Sequence, residues 1–314
     1  MAPPEHLRSI DVEAIFANDI APKLDDLERE RQSVVATSIQ RVLIGGAIVA
    51  ALMLVTFFLI DIEAPIVIAI FGAVGVWIWF ELPREAFVSK LRNDVISTVC
   101  AAIDDLDYNI EADGFDLQSF DDLGLFQGHS SEDTRDHFHG RYRNCDFDLA
   151  HAELETGGRN RTTVFDGLCL RVSMPRPTRG QILIYSDLGQ TLNRMMGMFR
   201  SVSRVEIPHA RFEDKFEVYA DDANEALQFI TPAFVENFLG LSKATNSTKI
   251  VAAFHEAWFY LAINDVPDFL DAFSVSKPVT DVRNQLQRVF EEIAIIYRII
   301  DQLHEVRPVA AKGV

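Results

Sequence analysis

A chain of 314 residues with 47 acidic and 29 basic residues carries a formal net charge of −18, a field that repels phosphate backbones, so no nucleic-acid partner is expected. Three cysteines, Cys100, Cys145 and Cys169, without a CxxC spacing argue against a disulfide framework, a cysteine zinc site and a secreted fate. With 48% hydrophobic and 24% charged residues, the chain is too apolar for a disordered tail, and its apolar residues must be segregated.

Residues 1–41 hold eight acids in a polar setting divided by Pro22. They predict a short helix followed by a longer one that runs from about Pro22 into the next segment. Val42 to Ile60 is nineteen residues without a charge, which as a helix covers about 28 Å and matches a bilayer core. After Asp61-Ile62-Glu63-Ala64 comes a second apolar run, Pro65 to Phe80. So short a connection allows only an antiparallel helical hairpin, residues 42–82, with Pro65 in a first turn where its missing N–H costs nothing. Arg29, Arg31 and Arg41 precede the first span and Arg84, Lys90 and Arg92 follow the second, while the turn has no basic residue; both termini are therefore expected in the cytoplasm. Trp77 and Trp79 suit an interfacial belt. Gly46/Ala50, Ala47/Ala51 and Ala69/Ala73 have the small-xxx-small spacing of closely packed helices. Neither span contains an ionisable residue, so transport by this chain alone is not expected.

Residues 83–134 read as an amphipathic linker helix and an acidic loop. Phe87, Leu91, Val95, Val99, Ile103 and Leu106 recur every three or four residues, a helical stripe. Between Asn93 and Thr134 there are eleven acids and no Lys or Arg. Asp105, Asp107 and Asn109 imitate the opening of a calcium loop, but Ile110 stands where Gly is needed and Asp116 where Glu is needed, so a solvated helix end and polar loop is expected. From 135 to 305 the apolar period changes to two, and short runs broken by Gly, Asn, Pro and Asp predict an antiparallel sheet. Lys249 to Phe254 and Trp258 to Ile263 form a hairpin around His255-Glu256-Ala257. A last helix is expected from an N-cap at Thr280, with Val282, Leu286, Val289, Phe290, Ile293, Ile296, Tyr297, Ile300 and Leu303 on its apolar face. Residues 306–314 are a tail. The fold class is α+β: an N-terminal transmembrane helical hairpin followed by an antiparallel β-sheet domain packed by helices.

Chemistry has few footholds. His137 and His139 share one strand face, near His129, Asp133, Asp136, Asp146 and His151; a metal is conceivable only if the hairpin turns His151 back toward them. Alternating His and Asp is equally the pattern of a solvated strand face, which is the expectation. Asp221, Asp222 and Glu225 resemble an acid–base group, yet Asp222-Ala223-Asn224-Glu225 is a capping box and Thr231-Pro232 a second helix start. Met195, Met196, Met198 and Phe199, with Arg194 and Arg200, would dock a partner, touch a membrane or pack in the core. GxSxG, Walker A, HExxH and GxGxxG motifs are absent. No catalytic residue, cofactor or metal is assigned, and His137, His139, His151, Asp221, Asp222 and Glu225 stand only as weak candidates for holding a metal.

The run Phe216-Glu217-Val218-Tyr219-Ala220-Asp221-Asp222 through Glu225-Ala226 to Thr231-Pro232-Ala233-Phe234 resembles a bacterial membrane-protein family catalogued as domain of unknown function 3137. Thr163-Val164-Phe165-Asp166-Gly167-Leu168, Gly124-Leu125-Phe126 and His139-Gly140-Arg141-Tyr142 add to the resemblance, which spans roughly residues 80 to 305. It implies paired spans ahead of an α+β domain and no established activity. Together these readings predict a multi-pass protein of the bacterial inner membrane, not an enzyme, in contact with the lipid bilayer and serving as a cytoplasmic interaction or scaffold protein for a protein partner or a second copy. The alternatives are a membrane-anchored enzyme, hydrolytic or metal-dependent, and an accessory subunit of a transporter or envelope complex.

Overall fold

The computed structural model describes residues 12–59, 64–126, 128–158, 161–186, 202–245, 247, 249–266, 275 and 282–304. The described residues form two compact units, one within 12–102 together with 275 and 282–289, the other within 103–266 together with 290–304.

The first unit is helical. Helix α1 (Val12–Ile15) passes through a π-helical turn, Phe16–Ile20, and a 3-10 turn, Ala21–Lys23, into α2 (Leu24–Leu59). Pro22 lies in the 3-10 turn, where the chain enters the long helix and its missing N–H is tolerated. As the sequence predicts, α2 then runs unbroken through the first apolar segment. Helix α3 (Ala64–Cys100) does the same for the second and does not stop there: the expected linker helix is its continuation, with Pro83 inside. Phe87, Leu91, Val95 and Val99 of the predicted stripe lie on α3 and are buried, whereas Ile103 and Leu106, also buried, fall beyond its end at Cys100, so the helical stripe stops short of them.

Two glycines let α2 and α3 approach. A Cβ on Gly45 would stand 2.6 Å from Val76 Cγ2, and one on Gly72 2.6 Å from Val49 Cγ2. These are not the small residues singled out from the sequence. Gly46, Ala47, Ala50, Ala51 and Ala73 are exposed, because one residue is a rotation of about 100° around a helix and the seam runs through Gly45. Of the 21 exposed large hydrophobic residues among those described, 20 lie between Ile39 and Leu82 and the other is Leu227. By length and composition, both helices are able to cross a membrane.

The second unit is a nine-stranded antiparallel sheet. Its strands are β1 (Leu106–Asn109), β2 (Ser131–Tyr142), β3 (Cys145–Thr156), β4 (Thr162–Ser173), β5 (Ile182–Ser186), β6 (Ser203–Val205), β7 (Phe216–Ala220), β8 (Ile250–His255) and β9 (Trp258–Asn264), in the order β1-β2-β3-β4-β9-β8-β5-β7-β6. β1 lies in the acidic stretch expected to be loop, and it forms because Leu106 is buried and the Tyr108 ring packs 4.9 Å from that of Phe138. Asp107 and Asn109 are thus strand residues opposite His139 and His137, a geometry unlike a calcium loop. The β8–β9 hairpin is present, tightened to a two-residue turn: His255 pairs with Trp258, and Glu256 takes φ +51.

One face of the sheet is covered by α4 (Gln118–Asp122) and its flanks, with Phe120, Leu123 and Leu125 packed among Ala152, Cys169, Leu183, Tyr185 and Ala262. Against the other pack α5 (Ala210–Glu213), α6 (Ala223–Phe229), α7 (Pro232–Thr245) and the later turns of α8 (Val282–His304). Phe234 contacts the Phe254 and Phe259 rings at 5.4 and 6.0 Å, and Tyr297 stacks on Tyr142 with centroids 4.3 Å apart. The predicted apolar face of the last helix is buried at Ile293, Ile296, Tyr297 and Ile300. It shares this side of the sheet with α7, which is fourteen residues long. Thr280, the expected N-cap, lies outside the described residues.

Candidate functional site

The most connected polar cluster begins at an irregularity in β2. Arg135 pairs with His151 and Phe138 with Leu149, so Asp136 and His137 together oppose Ala150, a β-bulge. Asp136 takes φ +59; its amide donates to the Ile110 carbonyl at 3.0 Å and its carboxylate accepts from the Tyr108 hydroxyl. The extra residue shifts the alternation by one, turning Phe138 with Leu149 onto the face packed by α7 and α8 and leaving His137 and His139 with Asp148 on the face covered by α4.

There His137 Nε2 lies 2.9 Å from Asp148 Oδ1, and Arg171 Nε donates to Asp148 Oδ2 at 2.8 Å. Arg171 Nη1 reaches Asp116 Oδ2 at 2.7 Å, and its guanidinium lies 4.8 Å over the Trp258 ring. Asp116 accepts from the Ser119 amide, 3.2 Å, and from the Ser119 hydroxyl, which anchors the segment leading into α4. Burial alone would raise the Asp148 carboxyl, but hydrogen bonds from His137 and Arg171 and their charges outweigh it and hold it below the usual carboxylate range. The chain Asp116–Arg171–Asp148–His137 is a continuous hydrogen-bonded network spanning β2, β3, β4 and the α4 lead-in.

The candidate histidines divide between the two sides of the sheet. His137 and His139 are together, ring centroids 5.1 Å apart, and His139 Nε2 is 3.7 Å from Asp107 Oδ2. His151 is on the other side, buried, with Nε2 2.7 Å from Asp166 Oδ1. Because side chains alternate along a strand, His151 faces away from Asp148 and His137 whatever the hairpin does. Among the described residues no three metal-ligating side chains converge.

The acidic group near Asp222 is used by the backbone. Asp222 is the N-cap of α6 and accepts from the amides of Asn224, 2.8 Å, and Glu225, 3.4 Å. Glu225 does not return to the N-cap amide as a capping box predicts. Buried, it accepts from the amides of Arg179, 3.0 Å, and Gly180, 3.3 Å, while Asp221 Oδ2 accepts from the Gln181 amide at 2.8 Å. Two of the carboxylates thus clamp the loop entering β5. Thr231 Oγ1 caps α7 by accepting from the Phe234 amide at 3.2 Å. The methionine cluster at 195–198 lies outside the described residues.

A shallow, largely apolar groove runs between α7, α8 and the sheet, lined by Phe234, Asn237, Phe238, Leu241, Phe259, Leu261 and Ile299. No titratable residue lines it among the described residues. The Cys169 thiol, buried beside the α4 cover, is pushed well above the ordinary thiol range by burial, the opposite of an activated nucleophile. Sequence reasoning missed Asp148, Arg171 and Asp116. The only signal was a carboxylate and an arginine inside otherwise apolar strands, and their pairing depends on register.

Residues 163–305 match the family described as protein of unknown function, DUF3137. This is the family the FEVYADD and TPAF runs resemble, and the match extends from β4 to the end of α8, less than half of the chain. The fold comparison gives the crystal structure of the mycobacterial trehalose monomycolate transport factor A, TtfA, at 10% identity and a TM-score of 0.32, covering 70% of this chain and 96% of that one. No curated protein matches.

Proposed function

We propose that this chain is a membrane-tethered interaction protein of the bacterial inner membrane. The α2–α3 hairpin crosses the bilayer with both termini in the cytoplasm, and the sheet domain receives a protein partner there. The observation that carries the reading is the concentration of 20 of the 21 exposed large hydrophobic residues, among those described, in Ile39–Leu82: a surface of that extent is stable only in lipid or under another protein. Basic residues at the open end of the hairpin, and none in its turn, support the cytoplasmic placement. A binding rather than catalytic role is supported by the polar clusters of the domain, where Asp148, Asp116, Asp222 and Glu225 are each held by hydrogen bonds from the protein itself.

The test is in two parts. Alkaline washing of membranes retains the chain, and protease added to intact spheroplasts leaves the sheet domain whole; digestion from that side overturns the topology. Photo-crosslinking from exposed positions such as Asp107, Arg211 and Asn224 in living cells then yields a discrete adduct identifiable by mass spectrometry. Failure to obtain one from any such position counts against the interaction role, and an adduct with a multispan protein identifies an accessory subunit.

A further inference from the structure

The hairpin contains a carbonyl without its helical donor. In an α-helix the C=O of residue 79 accepts from the N–H of residue 83, but residue 83 of α3 is Pro83, which has none. Arg41 fills the gap from the other helix: its Nη1 donates to the Trp79 carbonyl at 2.9 Å, and its guanidinium lies 5.5 Å over the Trp79 ring. Arg41 immediately precedes the first apolar span and Trp79 is the next-to-last residue of the second. Both therefore sit at the open end of the hairpin, where hydrocarbon gives way to headgroups.

Arg41 also differs from its basic neighbours in charge pairing. Arg29, Arg31, Arg84 and Lys90 lie within 4 Å of a carboxylate, from Asp26, Glu28, Glu81 and Glu30 respectively. Arg41 has no carboxylate partner among the described residues, in a chain with 47 acids. A guanidinium has five N–H donors in a planar fork suited to phosphate oxygens, and Trp79 takes one. At a bilayer surface the group that answers the remainder is the lipid phosphate.

We propose that Arg41 binds the phosphodiester of a phospholipid headgroup, its guanidinium oriented for that contact by the Trp79 carbonyl that Pro83 leaves without a donor. The assignment rests on the membrane reading above. It makes Arg41 the element that fixes the depth of the hairpin, with the tryptophan ring as one wall of the site.

Full-length protein carrying ¹³C-labelled arginine, reconstituted in phospholipid bilayers, tests it by solid-state NMR. One guanidinium carbon signal is dephased by lipid ³¹P; that signal disappears in Arg41→Gln and persists in Arg84→Gln. Unchanged dephasing in Arg41→Gln overturns the assignment. In phosphorus-free maltoside micelles with inorganic phosphate no such dephasing is expected, and its appearance overturns the lipid source in favour of a free-anion site. The orienting half is read by a double-mutant cycle in those micelles. Arg41→Met lowers the thermal midpoint of the hairpin, and the drop is at least halved in a Pro83→Ala background, where the Trp79 carbonyl regains its helical donor; equal drops in both backgrounds overturn it. Release of the wild-type chain by alkaline washing is a separate outcome and overturns the membrane reading itself.

Discussion

The two units solve the burial problem in opposite directions. The hairpin turns its large side chains outward: Phe58 and Phe71 are each 73% exposed, and close approach is left to Gly45 and Gly72. The sheet domain turns them inward, with Phe120, Phe138, Phe212 and Leu183 at 0%, and confines its charges to the rim or to hydrogen-bonded chains such as Asp116–Arg171–Asp148–His137. The bilayer placement proposed above accounts for the difference. In hydrocarbon an exposed phenylalanine costs nothing and an unpaired charge is expelled; in water the costs are reversed.

Mirrored charge insertions give the largest contrast. Leu183→Asp places an unpaired carboxylate in the sheet core and is expected to cost more than about 5 kcal/mol, enough to leave the domain unfolded by circular dichroism. Ile48→Asp, in the first span, leaves the domain folded but opposes insertion by roughly 3 kcal/mol, read as release into the alkaline wash. A domain that still melts cooperatively with Asp at 183 would break the comparison.

Next comes the half-buried ionic chain. Arg171→Met is expected to destabilise the domain by about 2–3 kcal/mol in urea denaturation, because it leaves Asp148 and Asp116 without their shared cation. The same group gives a pH dependence. The folded Asp148 carboxyl titrates below the usual carboxylate range, so its contribution is present above the unfolded value of about 3.9 and is lost as pH falls through the folded one. In Arg171→Met that acid-dependent loss shrinks; an unchanged pH profile would mean that Arg171 does not hold Asp148.

Glu225→Ala removes the acceptor of the Arg179 and Gly180 amides and is expected to cost about 1–3 kcal/mol. Opening of the loop before β5 follows, seen as faster amide exchange at those two residues. If Glu225 were catalytic rather than structural, exchange there would not change.

The smallest contrast is between neighbouring glycines. Gly45→Ala meets Val76 and lowers the melting midpoint of the hairpin in micelles, whereas Gly46→Ala, with nothing within 4 Å, raises helix propensity and is neutral or slightly stabilising, by about 0.5–1 kcal/mol. The reverse order would place the seam one residue on, as the small-xxx-small spacing alone predicts.

These cases show where sequence runs out. The length and charge-free character of Val42–Ile60 make a helix long and apolar enough to cross a membrane legible, but which glycine faces its partner depends on a rotation that composition does not encode. The N-caps at Asp222 and Thr231 are readable because a cap bonds within its own turn. The partner of Glu225 lies 46 residues earlier in the chain, beyond any local pattern. The His137 and His139 pair is visible as alternation; its companion Asp148 is not, because a bulge of one residue decides which side of β2 meets which side of β3.

The amino-acid order by itself therefore determined the division into an apolar hairpin and an acidic α+β body, and the helix starts, since these follow from hydropathy and bonds within a turn or two. Tertiary structure alone decided the nine-strand order, the Asp116–Arg171–Asp148–His137 chain, the Glu225 clamp and the reach of Arg41 to Trp79. Each joins groups far apart in the chain, and their meeting depends on register and helix rotation, which are set by packing and not by any local stretch of residues.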